Sequence, residues 1–278
     1  MKQGPRRPDF FARLLYGAKV FTRDGTVGAF GQCMEQVYRF FVENTPPPGV
    51  ILKGGPVFVA WAYLCLRLSA HLKCARGVKT GYTRKTFHVL TFLSAVCVQL
   101  AWGLPVLCLY GAAVSCVLAY AVARGAGHPL YEALAREQDA PHRTYYVVVP
   151  YFATLVGGVL SNVLFGHAAI IGYLVGGLGD AAGEPVGTRW GRHRYRVPSF
   201  GGVRVTRSVE GSAGVMLFSL VAILVGVGLS PALRLAPSNA WLLLPLAACC
   251  ALIEAASPHG WDNASMQLVP SFMAATLL

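Results

Sequence analysis

Asp180 and Glu184 stand four residues apart in the run Gly176-Gly177-Leu178-Gly179-Asp180-Ala181-Ala182-Gly183-Glu184. On a helix, i and i+4 share a face. The flanking glycines let backbone or ligand approach closely. Two hard oxygen ligands in that setting suit Mg²⁺, which takes one or two carboxylates plus substrate phosphates. A carboxylate at a membrane interface, paired with a nearby arginine, would read the same way. Just downstream, Thr188 to Arg196 is rich in arginine. Arg189 and Arg192 are close enough in sequence to meet phosphates beside such an ion.

Three further clusters carry polar chemistry. Arg207-Ser208-Val209-Glu210-Gly211-Ser212 directly precedes an apolar run. A helix start there would offer free N–H groups and a serine to an anion, or would be an ordinary helix cap. Arg84, Lys85 and His88 open another apolar run. Glu254 lies near the end of a third, followed by Asp262 and Asn263. A carboxylate inside an apolar run is expensive and therefore a functional candidate.

These residues must be held by elements of an unusual chain. Of its 278 residues, 55% are hydrophobic and 13% charged. A soluble domain carries roughly 25% charged residues. Mean hydropathy is +0.51. That composition argues against a soluble enzyme, a nucleic-acid-binding domain and a disordered protein. Apolar runs at about 51–72, 87–104, 105–123, 145–164, 167–182, 212–230, 239–257 and 265–278 predict an all-α, polytopic integral-membrane helical bundle of about eight spans. Residues 1–49 mix basic and aromatic positions without a long apolar run. They predict an N-terminal segment of amphipathic, interfacial helices, ahead of a transmembrane domain over 50–278.

Lys+Arg is 24 against Asp+Glu 12. The basic residues concentrate in alternate connections, as the positive-inside rule requires. The clusters at 84–88, 180–192, 206–212 and 254–263 therefore share one face, assigned to the cytosol. Together they offer carboxylates, arginines, an anion nest and apolar walls. That set suits phosphoryl or nucleotidyl transfer to a lipid. The eight cysteines form no CxxC pair, so neither a zinc site nor a disulfide framework is expected.

RKTFH, GLGDAAGEPVGTRWGRH, TRSVEGS and LIEAASPHGWDN, in that order, resemble the polyprenol kinase family. It includes dolichol kinase, phytol and farnesol kinases, and the CTP-dependent diacylglycerol kinase. The resemblance covers about residues 84–270. It implies a multi-pass membrane enzyme that moves the γ-phosphate of a nucleoside triphosphate, most often CTP, to a lipid alcohol with Mg²⁺. The family's Gly-Asp pair falls on Gly179-Asp180. Its K-S-x-x-G-S stretch falls on Arg207-Ser208-Val209-Glu210-Gly211-Ser212, with arginine for lysine. Its terminal acidic stretch falls on Glu254 and Asp262-Asn263.

On this reading Asp180, with Glu184 or Asp262, holds Mg²⁺. Arg84, Lys85, Arg189, Arg192, Arg207, Ser208, Glu210, Gly211, Ser212 and Asn263 form the nucleotide site. Asp262, Glu254 and His88 are the candidates for the base. An isoprenoid alcohol is favoured over diacylglycerol as acceptor, and a bacterial inner membrane is the expected location. The alternatives are a CTP-dependent lipid-phosphate cytidylyltransferase and a non-enzymatic lipid transporter or scramblase.

Overall fold

A computed structural model describes residues 25–233, 235 and 237–278. Residues 1–24 of the interfacial segment expected over 1–49 lie outside them. The chain divides into two units, with the boundary between Glu43 and Asn44. Pro47 and Pro48 explain the position: Pro48 sits at the first turn of the next helix, where a missing N–H costs nothing.

The described part of the first unit is one helix, α1 (Gly25–Glu43). Met34, Tyr38, Phe41 and Val42 are all exposed on it, at the i, i+4, i+7, i+8 spacing of one face. Arg39 and Glu35 pair at 2.5 Å. The helix is therefore amphipathic.

The second unit is a helical bundle. Five stretches are long and apolar enough to cross a membrane: Pro48–Arg76, Thr80–Arg124, Tyr145–Trp190, Val209–Leu229 and Ser238–Ala256. We label Pro48–Arg76 α2 and Thr80–Arg124 α3. Inside α3, Gly103 turns to φ 77°, ψ −172° just ahead of Pro105, a positive φ that only glycine adopts freely. The Tyr110 hydroxyl then donates to the Thr91 carbonyl at 3.2 Å. In a straight helix those two positions would be roughly 28 Å apart. So α3 is a hairpin of two arms.

A short α4 (Pro129–Glu132) follows, then α5 (Tyr145–Phe165). Gly166 turns the chain at φ 53° into α6 (Ala169–Leu174). The Asn162 amide donates to the Tyr173 hydroxyl across that turn at 2.6 Å. A π-turn at Val175–Gly179 leads into α7 (Asp180–Trp190). Then come α8 (Val209–Leu229), α9 (Leu243–Ala256) and α10 (Asp262–Leu277). The two internal turns and the 16-residue α10 give each of the apolar runs read from the sequence a helical segment.

Between α7 and α8 the chain forms β1 (Arg194–Val197) and β2 (Val205–Ser208), paired antiparallel with Tyr195 opposite Arg207. This hairpin is the one strand pair among the described residues of an otherwise all-α chain. Its pleat sends Arg194 and Arg196 outward, where both are exposed. Tyr195 and Arg207 share the opposite, inner face.

Leu66, Ile171, Leu174, Ile223, Leu246 and Met266 are fully buried in the bundle core. Leu52, Leu68, Trp102, Leu217 and Leu252 are exposed on the spans. Large apolar side chains exposed on one span after another are natural against hydrocarbon. Helices meet closely through small residues, as in membrane bundles. A Cβ on Gly211 would lie 2.9 Å from the Gly183 carbonyl oxygen, so α7 and α8 are nearly backbone to backbone.

Candidate functional site

Polar groups converge where the first arm of α3, α7, β2, α9 and α10 meet. The arm supplies Arg84, Lys85 and His88 from adjoining turns. Lys85 Nζ donates to Asp180 Oδ2 at 2.6 Å, with side chains only 13% and 3% exposed. His88 Nε2 is 2.7 Å from the Gly176 carbonyl and 3.4 Å from Asp180 Oδ2. A carbonyl can only accept, so that nitrogen carries the proton. The π-turn before Asp180 helps to fix its position; such turns recur at functional sites.

Oxygens of Asp180, Glu254 and Asp262 all lie within 4.8 Å of one another. They come from α7, the last turn of α9 and the first turn of α10. Arg207, turned inward by the β2 pleat, spans two of them. Its Nε is 2.8 Å from Glu254 Oε1 and its Nη2 is 2.7 Å from Asp262 Oδ2. Its Nη1 donates to the Glu254 carbonyl and, at 3.1 Å, to the Ser257 carbonyl. This planar fork uses donors that a lysine does not have.

Glu184 lies one turn beyond Asp180 but stands outside this triad. Arg84 Nη2 contacts its Oε2 at 3.1 Å, and Arg136 Nη1 contacts its Oε1 at 3.2 Å. Arg136 also grips Asp139 with two bonds of 2.9 Å and donates to His259 Nε2 at 2.5 Å. Burial pulls Arg136 down, but Glu184 and Asp139 outweigh it and raise its pKa above the ordinary value. The site thus gathers five carboxylates (Asp139, Asp180, Glu184, Glu254, Asp262) and four cations (Arg84, Lys85, Arg136, Arg207). A divalent cation would tip that balance to positive, the sign a polyphosphate needs. The donor set of three carboxylates fits a hard cation such as Mg²⁺.

Other residues proposed from the sequence lie elsewhere. Arg189 rests over the Trp190 ring at 5.2 Å, and Arg192 is exposed. Ser208 caps α8 by accepting from Gly211 N–H at 3.0 Å, and Gly211 packs α8 on α7. Ser212 bonds the Tyr195 hydroxyl at 2.7 Å. Glu210 pairs with the exposed His193 at 2.8 Å. Asn263 points to α5 instead, donating to the Pro150 carbonyl and Thr154 Oγ1, each at 2.9 Å.

Sequence reasoning missed Asp139 and His259. The only signal was for His259, which lies three residues before Asp262.

Burial, then the charge of Arg136, lowers the His259 pKa to about 2. A histidine kept neutral in the fold and free to protonate near 6.5 when unfolded destabilises the protein as pH falls below 6.5. The loss reaches about 2 kcal/mol by pH 5. Thermal midpoints of wild type and His259→Gln at pH 7 and pH 5 should therefore diverge, wild type dropping further. Equal drops would mean that His259 is already charged in the fold.

Comparisons of the chain with family models, with curated proteins and with solved structures return no match.

Proposed function

We propose that this chain is a multi-pass membrane kinase that transfers the γ-phosphate of CTP to a lipid alcohol, with an isoprenoid alcohol favoured over diacylglycerol. The observation that carries this reading is the Asp180–Glu254–Asp262 triad, lying at the ends of apolar spans with Lys85 and Arg207 bound to it. Carboxylates for a divalent ion, cations for phosphate and an apolar setting for the acceptor meet at one place. The basic connections support about eight passes with this face in the cytosol, and the Ala-, Gly- and Arg-rich composition supports a bacterial inner membrane.

In the proposed reaction Asp180, Glu254 and Asp262 hold Mg²⁺, which supplies charge neutralisation at the phosphates. Glu184 has the different task of fixing Arg84 and Arg136. Lys85, Arg84 and Arg207 face the triphosphate. The acceptor oxygen bonds to the γ-phosphorus, the bond to the β,γ-bridging oxygen breaks, and CDP leaves with the electron pair. The acceptor proton passes to His88, Glu254 or Asp262. The arrangement works by positioning and electrostatics, which dominate phosphoryl transfer.

The test is an incubation of detergent-purified protein with γ-³²P-CTP, Mg²⁺ and separate farnesol, phytol, polyprenol and diacylglycerol samples. Label should enter an extractable lipid, with CDP formed in equal amount. Pyrophosphate released only with a lipid phosphate would make the chain a cytidylyltransferase. CTP, ATP, GTP and UTP all left intact would favour a transporter.

A further inference from the structure

Beside the carboxylate cluster lies a groove of about 360 Å³ between the first arm of α3 and α7. One wall is Tyr82, Lys85, Thr86, Val89 and Leu90, spaced i, i+3, i+4, i+7, i+8, which is a single helix face. The other wall is Ala181 and Pro185, one turn apart. From Tyr82 to Leu90 the groove runs about 12 Å along the span.

The groove is polar at one end and apolar along the rest. At the polar end Lys85 spends one N–H on Asp180 and has two more to donate. The Tyr82 hydroxyl makes no hydrogen bond among the described residues. Thr86 donates its hydroxyl to the Tyr82 carbonyl at 3.0 Å, which leaves its methyl for the wall. Beyond it stand Val89 and Leu90; across the groove Ala181 lies level with Lys85, which bonds Asp180, and Pro185 level with Tyr82, since Gly81 abuts Glu184. Ala181 is buried, while the other lining residues are half-buried, so the groove opens sideways along a membrane-spanning helix. In the proposed membrane setting that opening faces lipid.

We infer that this groove is the acceptor site, and that it takes a single-chain lipid alcohol entering laterally from the bilayer. The inference rests on the kinase reading for the fate of the hydroxyl, but not for binding. The hydroxyl lies by Lys85 and Tyr82, next to Asp180, and accepts from Lys85. The chain runs past Val89 and Leu90. The volume is at the low end for small-ligand sites, about 300–1,000 Å³. The α7 wall is short, an alanine and a proline one turn apart. Two acyl chains that branch beside the hydroxyl would compete for this single strip, so diacylglycerol is the poorer ligand. Chain beyond about 12 Å lies in the bilayer, so affinity levels off as the isoprenoid lengthens.

A farnesol analogue with a diazirine near its hydroxyl tests this on the full-length protein in nanodiscs, the label being mapped by mass spectrometry. Label should fall on peptides carrying residues 82–90 and 181–185. Excess farnesol should displace it; diacylglycerol should not. Ala181→Trp, which fills the recess, should cut labelling by at least about tenfold. Leu90→Trp, on the opposite wall, should do the same and covers the case in which the first variant does not fold. Label spread evenly over the lipid-facing helices, or unchanged in a folded Trp variant, would overturn the groove. Phosphate transfer is scored separately. Labelling without transfer removes the kinase reading and leaves the groove standing. Transfer with label elsewhere does the reverse.

Discussion

Asp180→Asn should reduce phosphate transfer to a lipid alcohol by at least about 10²–10³-fold, the loss seen when one preorganised electrostatic contact is removed from a transition state. Asp180 alone joins the triad to the α3 cations: its Oδ2 takes Lys85 at 2.6 Å, and His88 lies 3.4 Å away. Asparagine keeps the shape and one acceptor, but removes the charge that a divalent ion requires. It also strands Lys85, whose side chain is mostly buried. Breaking one partner of a buried pair costs about 3–5 kcal/mol, so lost activity alone would not separate chemistry from folding. Asp180→Asn/Lys85→Met removes both charges and should recover most of the thermal midpoint while staying inactive. The rate of label entering lipid and the midpoint in the same detergent decide the matter. An Asp180→Asn protein that is stable and turns over at half the wild-type rate would remove Asp180 from the reaction.

Arg207→Met should be the most destabilising single change at the site. The guanidinium holds Glu254 and Asp262, both at most 14% exposed, and two backbone carbonyls at the end of α9. Without it two carboxylates face each other beside Asp180. The expected cost is about 3–5 kcal/mol. Arg207→Lys keeps a charge but cannot reach all four acceptors, and should fall between. Arg207→Met/Glu254→Gln/Asp262→Asn takes the stranded charges away. It should regain stability but not transfer, since the cation ligands are then gone. Unfolding midpoints across the four proteins test this. If Arg207→Met alone unfolds like wild type, the fork contributes nothing to the fold.

The helices were legible because membrane spans are written in long apolar runs. Asp180, Glu254, Asp262, Lys85, His88 and Arg207 were legible as candidates because a charged residue in or beside such a run is conspicuous. Their place on one face was legible from the alternating basic connections, but the choice between Glu184 and Asp262 beside Asp180 was not. Spacing reports neighbours on one helix, so it joined Glu184 to Asp180. The structure joins Asp180 to Glu254 and Asp262, each on a different helix, and hands Glu184 to Arg84 and Arg136. Asp139 and His259 stayed hidden because each matters only through Arg136, three residues from the first and about 120 from the second. The strands were hidden because a four-residue strand in an arginine-rich loop has almost no pattern to read. Ser208 and Gly211 were read correctly as a helix start, but there they serve the helix itself.

The pairs at the site have a common order along the chain. Lys85 precedes Asp180, Arg84 precedes Glu184, Arg136 precedes Asp139 and Glu184, and Arg207 precedes Glu254 and Asp262. A chain emerges from the ribosome N-terminus first. An unpaired carboxylate carried into the membrane is costly, even toward the end of a span where these lie. In this protein every one of these carboxylates is synthesised after the lysine or arginine that will neutralise it. With this face in the cytosol, as proposed, the cation would wait at that surface, where a long basic side chain is comfortable, and each acid would arrive to a partner already in place. Exchanging the two residues of one pair, Lys85→Asp together with Asp180→Lys, would preserve the folded contact yet invert that order, making membrane insertion rather than the finished structure the step that suffers.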